Sequence, residues 1–323
     1  MSGEAVAAAS GGRGPRWDVL TFGEAMLSVR TGGPLAVGAD ARVAVAGAEA
    51  NAAIGLARLG HAAAWAGRVG ADEPGRLVLR ALRGEGVDVT YATTDDEAPT
   101  GAMLRETRLG DVCRVHYWRA GSAASRQRPG HLSGALAAGA RMLHLTGITA
   151  ALGAGPREAV GAAARHARGH GWQVVLDVNH RARLWSAEEA TAALRPLLRW
   201  VDVLIASDDE LPLVAGSPAA ALREGVREVV IKRAGEGAEL HTGAAAPLRV
   251  PARRVPVRDT VGAGDAFCAG YLSGLLDGLA PAARLDRAVA CGGFAVATEG
   301  DWEGLPHRDE LPLLDAAPGS AVR

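Results

Sequence analysis

The chain has 323 residues, 48% hydrophobic and 22% charged, with a formal net charge of −1. That composition describes a soluble globular protein with room for a large core, and near-neutral charge without a Lys/Arg run argues against a nucleic-acid binder. Cys113, Cys268 and Cys291 are far apart and form no CxxC, which supports neither a disulfide framework nor a zinc cluster and points to a reducing, cytoplasmic setting.

Residues 1–16 are rich in Ala, Gly and Ser, lack the apolar core of a signal peptide, and read as a disordered leader. No apolar stretch long enough to span a bilayer follows. Short apolar runs then alternate with segments of helical period: 19–22 with 51–59, 62–66 with 75–83, 142–145 with 157–167, 174–178 with 187–198, 203–205 with 208–214, and 229–231. Repeated β-α units predict an α/β fold, a mainly parallel sheet with helices on both faces and ligands outside the carboxyl ends of its strands. Two stretches, about 28–45 and 99–119, break the rhythm with β-like runs joined by Gly- and Asp-containing turns. They read as a small β-sheet lid over the strand ends, or as ordinary edge strands of the main sheet. Residues 264–278 and 282–298 read as two Ala-rich helices, with a last short one after Pro306.

The most specific segment is Asp259-Thr-Val-Gly-Ala-Gly-Asp-Ala-Phe-Cys-Ala-Gly270. Gly262, Ala263 and Gly264 lead straight into a helical pattern, so their N–H groups should converge at a helix N-terminus and favour an anion. Asp265, in the first turn, is expected to be kept ionised by the same dipole and ready to accept a proton from a hydroxyl. A helix start with packing glycines is the plain alternative. Lys232 is the only lysine among 35 basic residues, and a flexible point charge retained against such a bias toward arginine suggests a site that cannot take a planar fork. There is no GxxxxGK[ST], so the phosphate device is not a P-loop.

The twelve residues from Asp259 to Gly270 resemble the second signature of the ribokinase (PfkB) family of carbohydrate kinases. Ala46-Gly-Ala-Glu-Ala-Asn51, followed by Leu56-Ala-Arg-Leu-Gly60, is similar to its first signature, with Ala46 in place of the usual glycine and Gly47 retained. Among the family's members the resemblance is nearest to those acting on 2-keto-3-deoxygluconate, through Tyr117-Trp-Arg-Ala-Gly-Ser-Ala-Ala-Ser125, His144-Leu-Thr-Gly-Ile-Thr149, Leu176-Asp-Val-Asn-His-Arg-Ala-Arg-Leu-Trp185 and Glu299-Gly-Asp-Trp-Glu303. It implies a ribokinase-like α/β/α sandwich over 17–316, with a tail at 317–323, that transfers the γ-phosphoryl group of ATP to the terminal (C6) hydroxyl of the sugar acid.

In that reading Asp265 is the base and Gly262, Ala263 and Gly264 form the anion hole. The sugar acid meets Gly47, Ala48, Asn51, Met103, Arg105, Arg181, Asp265 and Asp301. Met103 stands where related kinases carry the tyrosine of a Tyr-x-Arg pair. Arg181 follows the strand at 174–178, where a two-pronged donor can hold a carboxylate or phosphate. The nucleotide meets Asn179, Ser207, Lys232, Gly235, Gly237, Gly262 and Gly264, and Glu210 helps hold hydrated Mg²⁺. The expected partners are sugar acid and ATP in a homo-oligomer, without nucleic acid or membrane. A fructokinase-type or other sugar kinase of the family, and a non-catalytic sugar or nucleotide sensor, are the rival readings.

Overall fold

A computed structural model describes residues 14–109, 112–243 and 246–315. β1 (Trp17–Thr21) leads into β2 (Met26–Thr31) and β3 (Ala41–Ala46). After the helix Ala48–Arg58 come β4 (Ala63–Trp65) and β5 (Arg68–Gly70), and after the helix Glu73–Gly84 come β6 (Thr93–Asp95), β7 (Ala102–Leu109) and β8 (Val112–Trp118). The second half runs through β9 (Ala140–Thr146), the helix Ala154–Gly169, β10 (Gln173–Asp177), the helix Ala187–Leu194, β11 (Val203–Ser207), β12 (Glu228–Lys232), β13 (Ala238–His241) and β14 (Leu248–Val250). It closes with the helices Ala263–Leu276 and Pro281–Val296.

Eight strands form the main sheet in the order β14-β13-β12-β11-β10-β9-β1-β4. Pairings from β12 to β4 are parallel, and β13 and β14 are added antiparallel at one edge. The central strands are apolar on both faces because both are covered. Leu143, Leu176, Leu204 and Val229 pack with the helices Ala154–Gly169 and Ala187–Leu194, while Met142, Val175, Val203 and Val230 pack with Ala48–Arg58, Ala263–Leu276 and Pro281–Val296. Small residues bring the helices close. A Cβ on Gly55 would lie 2.7 Å from the Ala269 side chain, and one turn earlier on the same two helices this proximity sets Asn51 beside Asp265.

The two stretches that interrupt the β-α rhythm form a sheet of their own, four strands in the order β3-β2-β7-β8, not edge strands of the main sheet. Three details depart from expectation. The helix predicted over 187–198 stops at Leu194 and continues as a 3₁₀ segment, Arg195–Trp200, where Pro196 removes a backbone donor. The helix predicted over 208–214 is limited to Leu211–Val214. The hairpin of β13 and β14, and the small β5-β6 pair, were not anticipated.

Residues 1–13 of the predicted leader and the predicted tail lie outside the described residues. Arg16 is already tied down, its N–H donating to the Gly139 carbonyl at 3.0 Å and its guanidinium to Asp88 at 2.9 Å. Among the described residues no helix is long and apolar enough to cross a membrane.

Candidate active site

The strand ends carry two cavities separated by the N-terminus of the helix Ala263–Leu276. Gly262 caps that helix with φ +76°, a left-handed conformation open to glycine, and a Cβ there would lie 1.9 Å from the Asp301 carbonyl oxygen. The first-turn N–H groups have no acceptor within their own helix; that of Ala263 donates to the Thr260 carbonyl at 3.5 Å. The loop before the helix is braced by Asp259, which accepts from the N–H groups of Val261 and Gly300 (both 3.1 Å) and pairs with Arg105 of β7.

The first cavity, about 720 Å³, is walled by the helix Ala48–Arg58, the small sheet and the loop after β10. Asp265 reaches it from the first turn of its helix, and its Oδ2 accepts from Asn51 Nδ2 at 2.7 Å. Burial pushes the Asp265 carboxyl above the usual range; the Asn51 hydrogen bond and the nearby Arg181 charge pull it back. The dipole argument alone is therefore incomplete, because desolvation opposes it and makes Asp265 a stronger proton acceptor. Asn51 and Asp301 line this cavity, and each has one buried oxygen, Oδ1 and Oδ2, without a hydrogen-bond partner. Burial also pushes Asp301 up to about 7, with Arg105 and Arg30 opposing.

The second cavity, about 660 Å³, is lined by Ser207, Lys232, Gly235, Gly237, Ala263 and Gly264, and on its apolar side by Phe267, Val289 and Val296. Lys232 ends β12 and donates to Asp177 Oδ1 at 2.8 Å, across β11 from the end of β10. Asp177 also accepts from Cys268 Sγ at 3.3 Å and Asn179 Nδ2 at 3.4 Å. A Cβ on Gly264 would lie 3.8 Å from Lys232 Nζ, so the ammonium stands close to the helix N-terminus. Among the described residues no group of three or more His, Cys, Asp or Glu could hold a metal ion directly.

A model of the pfkB family carbohydrate kinases matches residues 18–308. The chain belongs to that family. It is 36% identical to the 2-dehydro-3-deoxygluconokinase of Bacillus subtilis, over 91% of this chain and 94% of that one, and 35% identical to the enzyme of the same name from Thermoproteus tenax, over 92% and 94%. The crystal structure of the Thermotoga maritima 2-dehydro-3-deoxygluconokinase superposes with a TM-score of 0.81 at 27% identity, covering 92% of this chain and 97% of that one. The α/β/α architecture is thus the ribokinase-like fold, and the protein is an ATP-dependent sugar kinase.

The kinase gathers Gly47, Ala48, Asn51, Met103, Arg105, Arg181, Gly262, Asp265 and Asp301 around the first cavity, and Ser207, Lys232, Gly235, Gly237, Ala263 and Gly264 around the second. Asn179 and Glu210 line neither. Asn179, with φ 41°, lies beneath Asp265, its Nδ2 3.5 Å from Asp265 Oδ1. Glu210 accepts from the backbone N–H groups of His180 (2.9 Å) and Ser207 (2.8 Å), bracing two loops to each other. Arg105 lines the first cavity, but its guanidinium is already paired with Asp259. Among the described residues lining that cavity, Arg181 and Arg183 are the arginines that form no ion pair. Sequence reasoning passes over Asp177 and Glu49, each inside a quoted motif, and Glu24, which lies in the connection after β1.

Glu49 gives the kinase a measurable pH signature. Its side chain is fully buried, accepts from Thr146 Oγ1 at 2.6 Å and from Thr149 Oγ1, and is pushed up to about 7 by burial. A carboxyl whose folded pKa exceeds its unfolded value of 4.5 binds more protons in the folded state. Its contribution to stability is therefore full below 4.5 and is lost as pH rises toward about 7. Glu49→Gln is expected to flatten the fall of Tm across that window in calorimetry, and an unchanged profile would show that Glu49 does not titrate there.

Proposed function

We propose that the kinase transfers the γ-phosphoryl group of ATP to the terminal (C6) hydroxyl of 2-keto-3-deoxygluconate or a close sugar acid. The observation that carries this reading is the polar lining of the first cavity. Asp265, Asn51 and Asp301 line it together with Arg181 and Arg183, a set suited to a ligand that carries both hydroxyls and an acid group. The named activity of the Bacillus and Thermoproteus relatives agrees with it.

Asp265 accepts the proton of the attacking hydroxyl while that oxygen bonds to the γ-phosphorus and the bond to the β-phosphate oxygen breaks. The N–H groups of the Gly262–Ala263–Gly264 turn donate to the transferring phosphoryl oxygens, and Lys232 sets a positive charge next to them. The apolar wall of Phe267, Val289 and Val296 suits a flat base, and Gly235 and Gly237 let backbone approach the nucleotide. Mg²⁺, when bound, neutralises phosphate charge. Of the two residues expected at the ion, Ser207 lines the second cavity and would meet a hydrated ion through water, whereas Glu210 lines neither cavity and accepts from the His180 and Ser207 N–H groups with its two oxygens. Arg181 takes the carboxylate with its fork, and Arg105, already neutralised by Asp259, offers its remaining N–H donors. The four-stranded sheet closes over the sugar as a lid and excludes water.

Coupled turnover with ATP and Mg²⁺ tests this against fructose and ribose. A site with buried groups aimed at an acid rejects a neutral analogue, so kcat/KM is expected to favour the sugar acid by at least about 10²-fold. Mass spectrometry and NMR should place the phosphate on C6. Equal or better use of fructose would overturn the assignment of Arg181 and favour a fructokinase-type specificity.

A further inference from the structure

We propose that Glu24 is the positioning residue that holds the lid in register with the body, through a buried ion pair with Arg119. The proposal rests on the sugar-kinase reading above for its catalytic consequence, but on geometry alone for the anchoring itself.

The lid is two insertions, so the chain crosses between it and the body at four places: β1 to β2, β3 to the helix Ala48–Arg58, the approach to β7, and the exit from β8. Glu24 touches all of them. It lies in the first crossing itself, between Thr21 and Met26. At the second, Gly47 presses on its backbone, and a Cβ there would lie 2.2 Å from the Glu24 carbonyl oxygen. At the third, a Cβ on Gly101 would lie 2.5 Å from Glu24 Oε1, so the carboxylate fills the space that a side chain would need. At the fourth, Arg119 pairs with Oε2, and Ser122 Oγ donates to Oε1 at 3.1 Å.

The Glu24 side chain is 1% exposed and that of Arg119 is 11% exposed. An ion pair so enclosed is costly to break from one side, because the remaining charge is left without water or partner. Arg119 also lies over the Tyr117 ring, 5.2 Å from its centroid, which ties the guanidinium to the end of lid strand β8. Glu24, Arg119 and Tyr117 all line the sugar cavity, whereas none of the described residues of the lid lines the nucleotide cavity. Loosening this anchor should therefore alter sugar capture and leave nucleotide binding alone.

The experiment uses the full-length kinase carrying Glu24→Gln, which keeps the shape and an acceptor for Ser122 but removes the charge, and separately Arg119→Met. Sugar-acid KM is expected to rise about tenfold in each, with ATP KM within about twofold of wild type. Amide hydrogen exchange should accelerate in β2, β3, β7 and β8 and stay unchanged in β9, β10 and β11. Exchange that rises equally in both sheets, or an equal rise in both KM values, would reduce Glu24 to an ordinary structural carboxylate and overturn the proposal. Wild-type protein inactive on every sugar acid would overturn the substrate reading instead, and the exchange comparison would still decide the anchor.

Discussion

Replacing Asp265 with Asn is expected to lower kcat by about 10³-fold while leaving ATP KM and the melting temperature close to wild type. A positioned base contributes on the order of 10²–10⁴ to a proton-transfer step, and among the described residues Asp265 is the one carboxylate that both lines the first cavity and sits in the first turn of the helix Ala263–Leu276. Asn keeps the size and can still accept from Asn51. It cannot take a proton. The second cavity, proposed for the nucleotide, is lined without Asp265, which is why ATP affinity should survive.

The stability side follows from the direction of its titration. Burial raises the Asp265 carboxyl, with Asn51 and Arg181 opposing, so the folded state favours the protonated form and the ionised group costs stability once pH exceeds the ordinary carboxylate range. A neutral Asn removes that cost, and its Tm at neutral pH should equal or exceed that of wild type, as is common where an active site holds strained or desolvated charge. Wild-type kcat/KM should fall on the acid side as Asp265 takes up its proton, and the residual activity of the variant should lack that limb. A variant within tenfold of wild type would remove Asp265 as the base.

Much of this site was legible because its residues are consecutive. The Asp259–Gly270 stretch announces a helix N-terminus by composition, and the placement of Gly262, Gly264 and Asp265 follows from helix geometry once the helix starts there. Partners were not legible, because they arise from segments distant in the chain. The family's Tyr-x-Arg pair points to Arg105, which lines the first cavity, but its ion pair with Asp259, 154 residues on, arises only when the fold brings β7 beside that loop. Asp177 reads as the end of an apolar strand; its importance arises only when β10, β12 and the helix Ala263–Leu276 meet.

The same limit applies to secondary structure. Strands buried on both faces are continuous apolar runs and were found, whereas the edge hairpin is short, with an exposed Arg249 in β14, and carries no periodic signal. Glu24 lies in a connection between two strands, where pattern reasoning has nothing to measure.

Replacing Lys232 with Met should be the most destabilising single change in the site. Lys232 Nζ and Asp177 Oδ1 are 2.8 Å apart with side chains 17% and 1% exposed, and Glu210 Oε2 lies 3.8 Å from the same ammonium. Burial works against the lysine charge, but the Asp177 and Glu210 carboxylates outweigh it and hold the ammonium above its ordinary range. A lysine so raised contributes its full stability below its unfolded pKa and loses it only as pH climbs through the folded value, so the pair is intact at neutral pH. Removing one partner strands the Asp177 carboxylate, at a cost of about 3–5 kcal/mol, which corresponds to a drop on the order of 10 °C in Tm. Asp177→Asn in the same chain should recover much of that loss, since Asn179 and Cys268 can still donate to an amide oxygen and no buried charge is left unpaired. ATP KM should stay elevated in both variants, because the charge beside Gly264 is gone. A double variant no more stable than the single one would show that packing of the lysine stem, and not the ion pair, supports this edge of the sheet.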